Sequence, residues 1–182
     1  MGILNNLTEK LLVNFLSLKE NDWIKWIAQE NDWKDDCDKF NNCYFIVKHM
    51  PLYPQHIYCQ CHLKKIAKPI PNITAKAVCD IRKFTEYIFN PKHNDGKKEL
   101  FESWGYNIND SYYLQQLYTF QALQKYCNGE YIYKGTNNFV AKIEIKIEIE
   151  TKDGNYLKIK SGWSLLPNGK IKLSTPFSGF SN

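Results

Sequence analysis

With 182 residues, 43% of them hydrophobic and 24% charged, the chain has the make-up of one globular domain, or of one domain with a small appendage. This excludes disorder and low-complexity or collagen-like repeats, and a chain this long buries about 70% of its unfolded surface without needing staples. Net charge is +5, from 24 basic against 19 acidic residues, which permits nucleic-acid binding without demanding it. Arg82 is the single arginine, so phosphate contacts fall mainly to lysine point charges. No apolar run reaches the roughly 18 residues that a membrane span needs. The best stretch, from Leu11 to Leu18, is broken by Asn14 and Ser17 and lacks the basic leader and cleavage site of a secretory signal. A cytoplasmic protein with no membrane partner is expected.

Leu4, Leu7, Leu11, Phe15 and Leu18 recur at helical steps, and Asp22 is placed to cap a second short helix carrying Trp23, Ile24, Trp26 and Ile27. An acidic, asparagine-rich segment follows, then Cys43 to Val47 as a short strand and a proline-marked turn through Met50 to Pro54. Ala67 to Asn72, with two prolines, reads as a linker. Beyond it, Asp80 to Asn90 reads as a helix stopped by Pro91, Gly96 to Trp104 as another, and Asn109-Asp110 caps a third that closes at Asn128-Gly129.

The period then drops to two. Ile143, Ile145, Ile147 and Ile149 alternate with charged residues, Asp153-Gly154 signals a hairpin, and Asn168-Gly169 marks a second turn. Tyr131 to Tyr133 is a candidate further strand. The expected fold is therefore α+β: three helices followed by a three- to four-stranded antiparallel meander, with a small helical cysteine-bearing module in front. The expected boundaries are 1–68 for the module and 69–182 for the α+β domain.

Three groups of residues carry candidate chemistry. Cys37, Cys43, Cys59 and Cys61 cluster in the first part with His49, His56 and His62 nearby, the raw material of a tetrahedral zinc site. Five residues separate Cys37 from Cys43 and one separates Cys59 from Cys61, spacings that leave metal, reduced thiols and disulfide all open. Cys79 and Cys127 sit in apolar helical contexts and read as core. Lys158, Lys160, Lys170 and Lys172 fall on one alternating side of adjacent strands, joined by Lys142 and Lys146; they form either a phosphate-attracting patch or a plain solvated face. Finally, Asn90 to Lys98 brings His93, Lys97 and Lys98 together at a helix start, with Ser174 and Thr175 as later polar residues able to converge on them. Trp163 is either a base-stacking platform or core.

Two stretches carry family resemblances. Phe89 to Tyr106, which contains Asn90-Pro91-Lys92-His93 and Trp104-Gly105-Tyr106, resembles the opening motif of an uncharacterised domain at the C-terminal tips of bacterial polymorphic toxins and phage proteins. Trp163 and Leu173-Ser174-Thr175-Pro176 resemble its tryptophan strand and its closing run, so the likeness spans roughly residues 80 to 176. Asn94 stands where that motif has proline, and Lys98 aligns with its lysine. Such domains look like members of the barnase, EndoU, colicin and RelE nuclease group, which are mostly metal-independent ribonucleases. Pro51 to Cys61 is similar to the signature closing Mu F-like phage head-morphogenesis proteins, whose upstream cysteine pair Cys37 and Cys43 would supply.

These resemblances imply a metal-independent, toxin-like ribonuclease that cleaves RNA through its own 2′-hydroxyl, with no catalytic cofactor. His93 would move a proton, Lys98 or Lys97 would steady phosphate charge, and Ser174 or Thr175 would hold a phosphate oxygen. Trp163 and the strand lysines would seat the RNA, and a neutralising immunity protein is an expected partner. The alternative is a non-catalytic phage-derived structural or interaction module whose N-terminal part is clipped by zinc through Cys37, Cys43, Cys59 and Cys61.

Overall fold

Isoleucine at every second position builds the longest uninterrupted ladder of the molecule. In the computed structural model, which describes residues 17–29, 35–56, 59–71, 75–92, 95–137 and 140–181, strand β6 (Ala141–Glu150) buries its odd-numbered residues and turns Lys142, Glu144, Lys146, Glu148 and Glu150 outward. A turn at Gly154, whose φ of 80° suits glycine, leads into β7 (Tyr156–Leu166). A short turn at Pro167–Gly169 then leads into β8 (Lys170–Phe180). β5 (Ile132–Thr136) pairs with β6, and β4 (Lys76–Val78) runs parallel to β8 at the other edge, giving the order β4-β8-β7-β6-β5.

Two α-helices are present among the described residues. The short α1 (Lys97–Ser103) is anchored by Phe101, which meets Phe89 in a T-shaped pair and Trp104 at a tilt. The long α2 (Ser111–Asn128) starts where Asn107 and Asp110 satisfy each other's backbone N–H groups, and it stops at Gly129. Leu114, Tyr118, Ala122 and Tyr126, four residues apart, form its buried stripe, and the Tyr118 hydroxyl donates to Pro176 O at 3.0 Å. Beyond the reach of β5, the free edge of β6 is closed by this helix. Gln121 bonds both the N–H and the C=O of Glu148, and Lys125 donates to Lys146 O.

The N-terminal part is a three-stranded antiparallel sheet. β1 (Trp23–Ile27) lies between β2 (Tyr44–Ile46) and β3 (His62–Ile66), with a 3₁₀ turn at Asp36–Phe40. It docks on the end of α2: Tyr126 and Tyr131 both donate to Tyr44 O, at 3.1 and 3.4 Å. Buried residues on both sides of the expected boundary at 68/69 belong to one continuous apolar core.

The expectation of three helices before a meander is thus corrected, although the α+β class holds. The described structure has eight strands in two sheets, and its helical content is chiefly α1 and α2. Asp80 to Asn90 contains only a π-helical turn at Lys83–Ile88, closed by Phe89 N–H to Phe84 O. Trp23 to Ile27, expected as a helix, is a central strand whose residues are covered from both faces, so no strand alternation shows in the sequence. Where it is described, the N-terminal module is therefore a sheet with short 3₁₀ turns and no α-helix; the stripe from Leu4 to Phe15 lies outside the described residues. No helix among the described residues is long and apolar enough to cross a membrane.

Candidate functional site

Where the π-helical turn meets the ends of β7 and β8, a cleft of about 560 Å³ opens beside Arg82, Lys83, Tyr87, Ser164, Lys172 and Ser174. The turn sets Lys83 and Tyr87 four residues apart on one side. The Lys83 ammonium donates to Ser174 O at 2.8 Å. Strand register places Ser164 of β7 opposite Lys172 of β8, and the Ser164 and Ser174 hydroxyls share a hydrogen bond of 2.6 Å. Lys142 reaches the same Ser164 oxygen at 3.5 Å.

Charge at this cleft is mixed but leans positive. Arg82 is committed to Asp80 through two side-chain nitrogens, and that hydrogen bonding holds the Asp80 carboxyl down at about 2. Lys97, at the start of α1, donates to the Tyr87 phenol oxygen at 2.8 Å and pairs with Asp95. Its burial disfavours the ammonium, yet the bonds to Asp95 and Tyr87 outweigh burial and the net shift is upward. Lys97 therefore stays charged at the cleft edge.

The expected site residues divide accordingly. Ser174 lines the cleft, and Lys97 reaches it through Tyr87. Lys98 instead pairs along α1 with Glu102 at 3.8 Å. Thr175 faces Gly162 of β7 in register rather than lining the cleft. His93 lies outside the described residues, between Lys92 and Asp95 in the sequence. Lys158, Lys160, Lys170 and Lys172 do share the outward face of the sheet, where Lys158 lies 3.9 Å from Glu148. Trp163 is fully buried on the opposite face, its indole N–H donating to Ser161 Oγ at 2.8 Å, so its ring is core and offers no face to a base. Sequence reasoning missed Lys83, Tyr87 and Ser164; only the parity of Ser164 with Lys172 across the turn at Pro167–Gly169 signalled any of them.

A second cluster lies in the N-terminal part. The ligand atoms of Cys37, His56 and Cys59 all lie within 4.8 Å of one another, a group able to hold a metal ion. Asp35 caps the 3₁₀ turn by accepting from Cys37 N–H at 2.8 Å, which fixes the first thiol. Cys61 sits beside them: its thiol is pushed down, first by a hydrogen bond from Cys37, and the Cys37 thiol is correspondingly pushed up. Of the expected set, Cys37 and Cys59 are in this group, whereas Cys43 and Cys61 are not. Cys43 is fully buried, donates to Lys39 O and Leu166 O, and burial pushes it up to about 12. Cys79 and Cys127 are buried, as core thiols should be.

Residues 69–178, covering β4 to all but the last two residues of β8, both helices and the whole cleft, match the family described as Domain of unknown function (DUF6883), and the chain belongs to that family. Comparisons with curated proteins and with solved structures find no match.

Proposed function

We propose that the cleft is the active site of a metal-independent ribonuclease. The observation that carries this reading is the convergence of Lys83, Lys172, the Lys97–Tyr87 pair and the linked Ser164 and Ser174 hydroxyls at one open cleft. Cations and hydroxyl donors aimed at one space are what a phosphodiester in mid-transfer needs, because charge builds on its non-bridging oxygens. In this reading His93 takes the proton of the 2′-hydroxyl, O2′ bonds to phosphorus, and the P–O5′ bond breaks as the 5′-oxygen takes a proton from water, His93 then returning its own to the hydroxide left behind. The products are a 2′,3′-cyclic phosphate and a 5′-hydroxyl. Lys97 and Lys83 balance the phosphate charge, Ser174 donates to a phosphate oxygen, and the outward strand lysines guide the RNA. A toxin of this kind acts in a cytoplasm and takes a neutralising protein as partner.

The test is incubation of the full chain with total RNA in chelator. Cyclic-phosphate ends, lost in His93→Ala and in Lys97→Ala, are the expected result. Intact RNA, or equal cutting by both variants, overturns the reading.

For the N-terminal part we propose a structural zinc site. The buried Cys37 and the clustered His56 and Cys59 supply the soft and borderline donors that zinc prefers. This also keeps alive the rival, a non-catalytic module organised by zinc, which differs in leaving RNA uncut.

A further inference from the structure

Resting on the reading of the cleft as a phosphodiester site, we propose that Ser164 and Lys142 are positioning residues: together they turn the single proton of the Ser174 hydroxyl into the cleft, where Ser174 donates to a phosphate oxygen. The backbone prepares this. From Leu166 back to Trp163, β7 pairs residue for residue with Lys170 to Leu173 of β8, but the next pair is Gly162 with Thr175. Ser174 is therefore an extra residue, the bulge of β8. A bulge takes its residue out of the ladder and re-aims the side chain, and bulges recur beside active sites. The carbonyl oxygen of Ser174 is taken instead by Lys83 of the π-helical turn, which donates at 2.8 Å, and the residue lines the cleft.

The hydroxyl is prepared by the next strands. Register sets Lys142 of β6, Ser164 of β7 and Lys172 of β8 in one row across the outward face. Ser164 is the covered member of that row, 8% exposed, so its hydroxyl depends on its neighbours for hydrogen bonds. Those neighbours differ in kind. The Lys142 ammonium is a donor only and lies 3.5 Å from Ser164 Oγ, whereas Ser174 Oγ, at 2.6 Å, can donate or accept. A hydroxyl carries one proton. Beside a cation its oxygen faces the charge and its proton points away, so the Ser164 proton goes to Ser174 Oγ.

The order of donation decides what the cleft presents. With Ser164 as donor, Ser174 accepts from behind and keeps its own proton for the cleft, and accepting that bond strengthens its own donation. In the reverse order Ser174 would spend its proton on Ser164 and turn lone pairs toward a phosphate. Lys142 thus acts on the cleft through two hydroxyls without entering it. A donor held in place before the reaction needs no reorganisation when charge grows on a phosphate oxygen.

Two measurements on the full chain test this. In cleavage of a short oligoribonucleotide, Ser164→Ala is expected to lower kcat about tenfold or more and to change KM by less than about threefold, a share of what losing an oxyanion donor outright costs. Lys142→Met should lower kcat in the same direction, and Ser164→Thr, which keeps the hydroxyl, should restore most of the rate. The double variant Ser164→Ala/Ser174→Ala should be no slower than Ser174→Ala alone, because Ser164 acts through Ser174. Isothermal titration with inorganic phosphate reads the same donor without chemistry: affinity should fall about threefold or more in both Ser164→Ala and Ser174→Ala, with circular dichroism showing each variant folded. RNA left intact while phosphate affinity falls in both variants overturns the ribonuclease reading and supports the positioning. A double variant slower than Ser174→Ala, an unchanged kcat in Lys142→Met, Ser164→Thr no faster than Ser164→Ala, or phosphate affinity unchanged in Ser164→Ala overturns the positioning alone. A wild-type chain that neither cuts RNA nor binds phosphate overturns both.

Discussion

Lys97 and Tyr87 are joined by a 2.8 Å hydrogen bond in which the ammonium donates to the phenol oxygen, and the same ammonium lies 4.8 Å from the centre of the tyrosine ring. The pair links the first turn of α1 to the π-helical turn that walls the cleft. The Lys83 ammonium also lies over that ring, 5.8 Å from its centre. Removing Lys97 therefore removes a charge from the cleft and loosens the tyrosine. Lys97→Ala is expected to lower the rate of RNA cleavage by about 10²- to 10³-fold, the usual cost of losing one preorganised charge-stabilising donor. Tyr87→Phe keeps the ring under both cations and should cost less. Single-turnover rates on a short oligonucleotide check both; unchanged rates in Lys97→Ala would place the chemistry elsewhere.

Trp163 has the opposite character. It is closed off from solvent, paired in register with Leu173 and bonded to Ser161 Oγ. Trp163→Phe leaves a small cavity and removes one buried hydrogen bond, although Ser161 Oγ still donates to Ile145 O, and is expected to destabilise the fold by about 1–3 kcal/mol. Its affinity for single-stranded RNA, measured well below its melting temperature, should stay within about twofold of wild type, whereas a lost stacking platform costs about 1–3 kcal/mol of binding.

Gly129 is where the two sheets' supports meet. It adopts φ 74° at the end of α2, and a Cβ placed there falls 1.9 Å from Cδ1 of Ile46. Gly129→Ala carries both left-handed strain and overpacking, for an expected loss of about 2–4 kcal/mol in denaturant unfolding. Ile46→Val in the same chain removes the clashing methyl and should recover part of that loss, so the two substitutions are expected to be non-additive. Strict additivity would mean that the N-terminal sheet does not rest on this helix end.

Local signals carried as far as local physics goes. The meander was legible because β6 has one buried face and one wet face, so Ile143, Ile145, Ile147 and Ile149 had to alternate with charges. Helix α2 was legible from its ends at Asp110 and Gly129, although Asp110 makes no side-chain cap and, of the apolar residues at helical spacing, Leu114 and Tyr126 are buried while Tyr113 and Phe120 are exposed. β1 was not, because Trp23, Ile24 and Trp26 are buried on both faces and their spacing fits a helix equally well. β4 was not, because among the described residues it pairs with β8 alone, far along the chain, and a three-residue edge strand has no pattern of its own. The cleft shares that limit: Ser174 and Lys97 could be picked out by type, but Lys83, Tyr87 and Ser164 come together only when the turn packs on the strand ends. In the N-terminal part the cysteines were visible as a group. Which of them cluster and which are core was not, since it depends on Cys43 donating to Leu166 O of β7.

Metal removal separates the two parts of the molecule. Binding free energy at a structural zinc site is folding free energy, typically several kcal/mol or more, and in a chain of this size each kcal/mol moves the melting temperature by about 2–4 °C. Stripping zinc is therefore expected to lower the melting temperature by about 10 °C or more, and equimolar zinc should restore it. The cleft draws its groups from residues outside that cluster, so RNA cleavage assayed in chelator at low temperature, where the stripped chain is still folded by circular dichroism, is expected to persist within a few-fold. Differential scanning calorimetry beside a cleavage assay on the same sample makes both measurements. A stripped chain that melts like the loaded one removes the metal from the stability of the fold. A folded, stripped chain that has lost all cleavage makes the metal part of the chemistry and contradicts the metal-independent reaction.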